Sequence, residues 1–214
     1  GVPQNDAEAI RWFRLAADPA HATSEANIAS MTRAQYNLAL IYLNGRGVPS
    51  NDAEGVQWLN LAASRGLAEA QGDLGYMYLT GRGVPQDDED AARWIRPAAD
   101  QGYAAAQRYL GMMHREGRGV DRDQSEALRW THLAADQGET GAQYDLGLMY
   151  MLGSGSQQDN VSAYMWLSLA AAGLTGNDRE LAIETQDQLG QQMTTQQRTE
   201  AQRRERAWKP IVER

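Results

Sequence analysis

One spacing constrains this chain more than any other feature. "GRGV" begins at Gly45, Gly81 and Gly117, and a relaxed copy, "GSGS", begins at Gly153, each 36 residues after the last. Tryptophan keeps the same step at Trp58, Trp94, Trp130 and Trp166, and the pair Ala-Gln keeps it at Ala34, Ala70, Ala106 and Ala142. Three unrelated markers holding one period through four copies define an array of stacked units rather than one unrepeated core.

Each unit reads as two helices. The first carries "AQYNLALIYLNG", "AQGDLGYMYLTG", "AQRYLGMMHREG" or "AQYDLGLMYMLG", in which Ala34, Leu38 and Ile41 or Tyr42 fall on one helical face. Its position 39, 75, 111 or 147 is always Ala or Gly. A mid-helix glycine costs about 1 kcal/mol against alanine, so its recurrence predicts a close helix crossing. The second helix carries the tryptophan, and its own small residue, at Gly55, Ala91, Ala127 or Ala163, is the natural counterpart. The tryptophans recur in register with these small positions, which predicts packing residues between units rather than a sugar-stacking surface.

The two-glycine turn "LTGRGVPQDDEDAARW" raises the question of a phosphate loop. Gly81 falls where the first helix must stop, and Asp87 or Asp88 can cap the next helix. Asp87, Asp88, Glu89 and Asp90 put negative charge where a phosphate would sit, and the Walker lysine and hydroxyl are absent. The loop is therefore a turn. "DRDQSE", from Asp121, lacks the glycine and the final glutamate of a calcium loop and reads as another helix cap.

Composition removes several function classes. The net charge of −8 argues against nucleic acid as the main partner. The absence of cysteine excludes disulfides, thiolate metal sites and a cysteine nucleophile. No apolar run reaches the ~18 residues of a membrane span. Of the histidines, His21 reads as a surface residue, His114 replaces a packing tyrosine, and His132 reads as facing solvent. No serine has a nucleophile-elbow context, and no matched acid–base pair or cofactor motif is present. The reading is non-enzymatic, with no cofactor and no metal.

The alternation of "A-Q-x-x-L-G-x-M-Y-x-x-G-x-G-V" with "D-x-x-x-A-x-x-W-x-x-x-A-A-x-x-G" resembles the Sel-one-like repeat (SLR) family, related to the tetratricopeptide repeat. The resemblance implies an all-α, right-handed α-α superhelix, a solenoid of 36-residue helix-turn-helix repeats, with a concave face lined by the first helices. It implies an adaptor or scaffold role, in bacteria often in the periplasm or secreted. The organisation expected is the second helix of a truncated repeat over 1–18 and an insert over 19–32 that lengthens the next helix backwards from near Ser24. Four repeats follow over 33–68, 69–104, 105–140 and 141–173, then capping helices over 174–214, the last opening on a Thr194–Gln197 capping box. Nothing precedes Gly1 to serve as a first helix, which predicts a fragment or processed product. Its bare apolar end would allow end-to-end association of two copies.

Aligned on the family's inward positions, the partner groove falls on Arg33, Tyr36, Leu40, Leu43, Tyr76, Leu79, Arg108, Met112, Arg115, Tyr144, Leu148 and Met151. Tyr, Leu and Met in place of charge suit an adaptable surface for a protein or peptide segment. Arg108 and Arg115, about two turns apart, are placed to pair with a partner's carboxylate. The rival is an enzyme or a carbohydrate-binding module acting on bacterial cell-envelope material, the latter through Tyr36, Tyr76 and Tyr144.

Overall fold

The computed structural model describes residues 4–19 and 24–211. Eleven helices and no strand occur among them: α1 (Gln4–Ala16), α2 (Glu25–Asn44), α3 (Asp52–Ala63), α4 (Ala68–Thr80), α5 (Asp88–Asp100), α6 (Ala104–Glu116), α7 (Gln124–Asp136), α8 (Thr140–Leu152), α9 (Asn160–Gly173), α10 (Gly176–Gln192) and α11 (Thr195–Ala207). No helix is long and apolar enough to cross a membrane among the described residues. The chain divides into two compact units, residues 1–106 and 107–214. In the first, α1 packs on α2, α2 on α3, α3 on α4 and α4 on α5; in the second, α7 packs on α8, α8 on α9, and α9 on both α10 and α11.

The punctuation follows from the repeated turn. Gly45, Gly81 and Gly153 close α2, α4 and α8 in the left-handed conformation, at φ 64°, 69° and 69°. The next helix is capped by Asn51, Asp87, Asp123 or Asp159, whose side chain accepts from amides two or three residues on. Asp87 thus occupies the amides that a phosphate would have used, and the Asp123 oxygen that a calcium ion would have taken accepts instead from the Ser125 and Glu126 amides. The second glycine of the turn serves contact between hairpins. A Cβ on Gly83, at φ 74°, would lie 2.7 Å from the Asp52 carbonyl oxygen, at the start of the preceding hairpin's second helix. Between the glycines, Arg82 lies 2.7 Å from the Asp52 carboxylate and donates to the Leu43 carbonyl at 2.8 Å.

Within each hairpin the small residues mark a close crossing. A Cβ on Gly75 would come 2.4 Å from Ile95 and 3.1 Å from the Ala91 carbonyl; one on Gly111 would meet Thr131 Oγ1 at 2.5 Å and the Ala127 carbonyl at 3.1 Å. Glycine's helix penalty is offset by that approach.

The repeated glutamine has a separate task. Gln71 is buried, donates to the Ala63 carbonyl at 3.2 Å and accepts from Gln101 at 2.8 Å. Gln35 holds the Ala17 carbonyl and accepts from Arg65, Gln143 reaches the Ala135 carbonyl, and Gln107 accepts from Gln137. A buried carbonyl left without a donor costs roughly 1–3 kcal/mol, so each amide satisfies the chain where one hairpin meets the next.

The tryptophans lie in those seams. Trp58 packs against two clusters at once, one around Ala34, Leu38 and Tyr42, the other around Leu59, Leu74 and Met77. Trp130 and Trp166 are buried, and the Trp166 ring meets His132 at 5.8 Å and Trp208 at 5.9 Å, both edge-on. Trp12, on α1, is 65% exposed. At the other end α11 opens on the expected Thr194–Gln197 capping box and packs on α9. At the insert, Ser24 caps a 20-residue α2.

Candidate functional site

Each unit presents a face of first helices, α2 and α4 in one and α6 and α8 in the other, that carries the non-repeating residues. It is not the continuous apolar strip that the groove positions suggest. Leu43 and Leu79 are core, at 6% and 3% exposure. Leu43 fills the space over Gly55, where the second helix has no side chain, and Leu79 occupies the same repeat position. Tyr76 is 37% exposed. Met112, Leu148 and Met151 are half-buried. Leu40 lines a cavity of about 270 Å³ with Phe13, Asn37 and Ile41.

The polar residues on this face form two networks with a shared register. In the first unit the Tyr36 hydroxyl donates to Asp73 Oδ2 at 2.9 Å across a sequence offset of 37, and the Tyr103 hydroxyl meets Asp73 Oδ1 at 3.5 Å. Arg33 lies beside them but donates to Glu69 at 2.8 Å. In the second unit Arg108 Nε donates to Asp145 Oδ2 at 2.9 Å, again across an offset of 37. Arg115 approaches the other oxygen at 3.6 Å, and Arg108 also lies 3.8 Å from Glu139. Gly141 lets the guanidinium lie against the backbone: a Cβ there would be 2.3 Å from the Arg108 Cζ. Arg108 and Arg115 are therefore engaged within the chain, not waiting for a partner's carboxylate. Beside them Tyr144, Asp145, Asp178 and Leu181 help line a cavity of about 290 Å³.

The two networks differ electrostatically. Burial pushes the Asp73 carboxyl up, the tyrosine hydrogen bonds pull it back, and the Glu69 charge adds to the rise; the net direction is upward. Burial and the Asp73 charge push the Tyr36 phenol up, so it remains a donor. Burial works against the charge on Arg108, but Asp145 more than compensates and holds its pKa above the usual guanidinium value. Asp73 and Asp145 are the functional candidates that inspection of inward positions passes over. Their signal is a column, Asn37, Asp73, Tyr109 and Asp145, that places charge inside an otherwise apolar "LG" helix.

The histidines do not converge. His114 is buried, its Nδ1 3.1 Å from the Asp121 carbonyl oxygen, as a replacement for a packing tyrosine would be. His132 lies over the Trp166 edge and bonds Asp136 at 2.9 Å, so it faces solvent only in part. His21 lies outside the described residues.

Stacked helical hairpins with a two-glycine turn, a seam tryptophan and a buried glutamine define a helical-repeat protein of the solenoid class. The Sel1 repeat profile matches residues 1–18, 32–67, 68–103, 104–139 and 140–173, and the chain belongs to the Sel1-repeat family. Among solved structures it is similar to a protective antigen with an SLR fold present in uropathogenic Escherichia coli strains, with 30% identity and a TM-score of 0.79 over 94% of this chain. The chain spans 40% of that antigen's length. It is also similar to a Sel1 repeat protein from Oxalobacter formigenes, with 30% identity and a TM-score of 0.61, covering 78% of this chain and 68% of the other. No curated protein matches significantly. Proteins of this family are generally protein-interaction scaffolds.

Proposed function

We propose that this chain is a non-enzymatic scaffold that holds a protein or peptide segment against the face formed by its first helices. The observation that carries this reading is a division of labour along the repeat. Positions that recur (the turn glycines, the small crossing residues, glutamine and tryptophan) are occupied by packing or by backbone hydrogen bonds. Those that vary remain partly or fully accessible on the first helices of each unit, Tyr76 in one and Met112, Tyr144, Leu148 and Met151 in the other. Half-exposed Tyr, Met and Leu on packed helices are the composition of an adaptable protein-binding surface.

The test is a triple variant, Tyr76→Ala, Met112→Ala and Leu148→Ala, compared with the parent by quantitative affinity capture from a bacterial lysate. Far-UV circular dichroism should be unchanged while proteins captured by the parent are lost. Unchanged capture by the triple variant would count against the assignment.

The exposed side chains of α1 support a second mode, association of two copies. Trp12 and Leu15 are 65% and 53% exposed there, whereas Trp166, at the same repeat position as Trp12, is 4% exposed. Light scattering over a dilution series should show mass falling toward 23.6 kDa, and Trp12→Ala should abolish the larger species. A constant monomer mass would remove this mode.

A further inference from the structure

Resting on that reading, we infer that Asp73 and the tyrosines around it form a subsite for a cationic side chain, an arginine or lysine presented by the bound segment. The argument is an internal comparison. At the same repeat position and the same offset of 37, the second unit supplies its own cation, with Arg108 on Asp145 at 2.9 Å and Arg115 at 3.6 Å. The first unit has Tyr36 where the second has Arg108. Its Asp73 receives two phenol hydroxyls, and no guanidinium comes within 4.0 Å of it among the described residues. The neighbouring Arg33 is held by Glu69.

Two hydroxyl donors orient the carboxylate without neutralising it. A half-buried carboxylate in a weakly screened position attracts a cation more strongly than one in water. The local balance is negative: Arg33 offsets Glu69, and Asp73 is left over. The Tyr36 and Tyr103 rings flank the carboxylate, and Tyr76, one helical turn from Asp73, is 37% exposed on the same helix. A carboxylate flanked by tyrosine rings matches a guanidinium or ammonium, through charge-assisted hydrogen bonds and cation–π contact. Burial of Asp73, which raises the cost of its charge while it lacks a cation, acts in the same direction.

The experiment selects a displayed random-peptide library on the whole chain, then measures each selected peptide against the parent, Asp73→Asn, Tyr36→Arg and Tyr76→Ala. Asparagine already stands at position 37 of the preceding repeat, so Asp73→Asn is compatible with the fold, and circular dichroism verifies this. Selected peptides should carry an Arg or Lys whose replacement, by citrulline or glutamine respectively, weakens binding about tenfold. Asp73→Asn should weaken them by the same factor, and the two changes together by no more than either alone. Tyr36→Arg, which supplies the missing guanidinium from within, should have the same effect. Peptides that respond to Tyr76→Ala but not to Asp73→Asn or to loss of their cation would overturn the subsite and leave the wider binding face standing. Failure to select any peptide that responds to Tyr76→Ala or Asp73→Asn would overturn both.

Discussion

The two units run the same repeat to different electrostatic ends. Asp145 sits between two arginines of its own chain, whereas Asp73, at the same repeat position, is held by tyrosines. A solenoid can therefore keep its packing code constant while one substitution, Tyr or Arg at the offset-37 position, decides whether a wall carboxylate is satisfied internally. The second unit uses its polar residues as structure, and the first keeps one in reserve.

The comparison requires that the seams be common to both units, and the largest expected effect lies there. Trp166→Ala should destabilise by about 3–5 kcal/mol, while Trp12→Ala should change stability by less than about 0.5 kcal/mol. Urea denaturation followed by circular dichroism measures both. Equal effects would mean that the seam is not where the indoles contribute.

Breaking the second network comes next. Arg108→Met leaves Asp145 with the longer Arg115 contact and should destabilise by about 2 kcal/mol, discounted from a fully buried pair because the arginine is partly solvated. The crossing residue should show a comparable loss: Gly111→Ala drives a methyl into Thr131 and the Ala127 carbonyl, costing about 1–3 kcal/mol in the same denaturation series.

A smaller effect distinguishes the first network by its pH dependence. The Asp73 carboxyl is raised in the folded chain above its unfolded value of 3.8. The unfolded chain therefore releases this proton first, and the group's contribution to stability falls as pH rises from about that value through the folded pKa. Tyr36, Tyr103 and Glu69 face the group, and burial holds the Tyr36 phenol above its usual value, so it stays a donor throughout. Relative to Asp73→Asn, the parent should lose stability over that window and then stay level. A difference that grows in the parent's favour with pH would contradict the assignment.

Much of the fold was legible because repetition averages out local noise. The period located the turns, the small residues located the crossings later seen at Gly75 and Gly111, and the acidic residues after the turn located the caps. The wall was harder to read. Leu43 falls on one of the family's inward positions, but the absent side chain of Gly55 draws it into the core. Arg108 and Arg115 share a helical face, yet their engagement depends on which residue of the next hairpin stands opposite. That offset belongs to the packing of neighbouring units, not to any single helix. Once 37 is known, the column Asn37, Asp73, Tyr109 and Asp145 becomes readable.

The most direct test is the pair Asp73→Asn and Asp145→Asn, compared by urea denaturation at neutral pH. Asparagine removes an ion-paired charge at position 145, so that variant should be less stable by about 1–2 kcal/mol. At position 73 it removes a charge held without a cation, so that variant should be as stable as the parent or more so, by up to about 1 kcal/mol. Losses of the same sign and size at both positions would show that the two walls are equivalent and that Asp73 is not held for a partner.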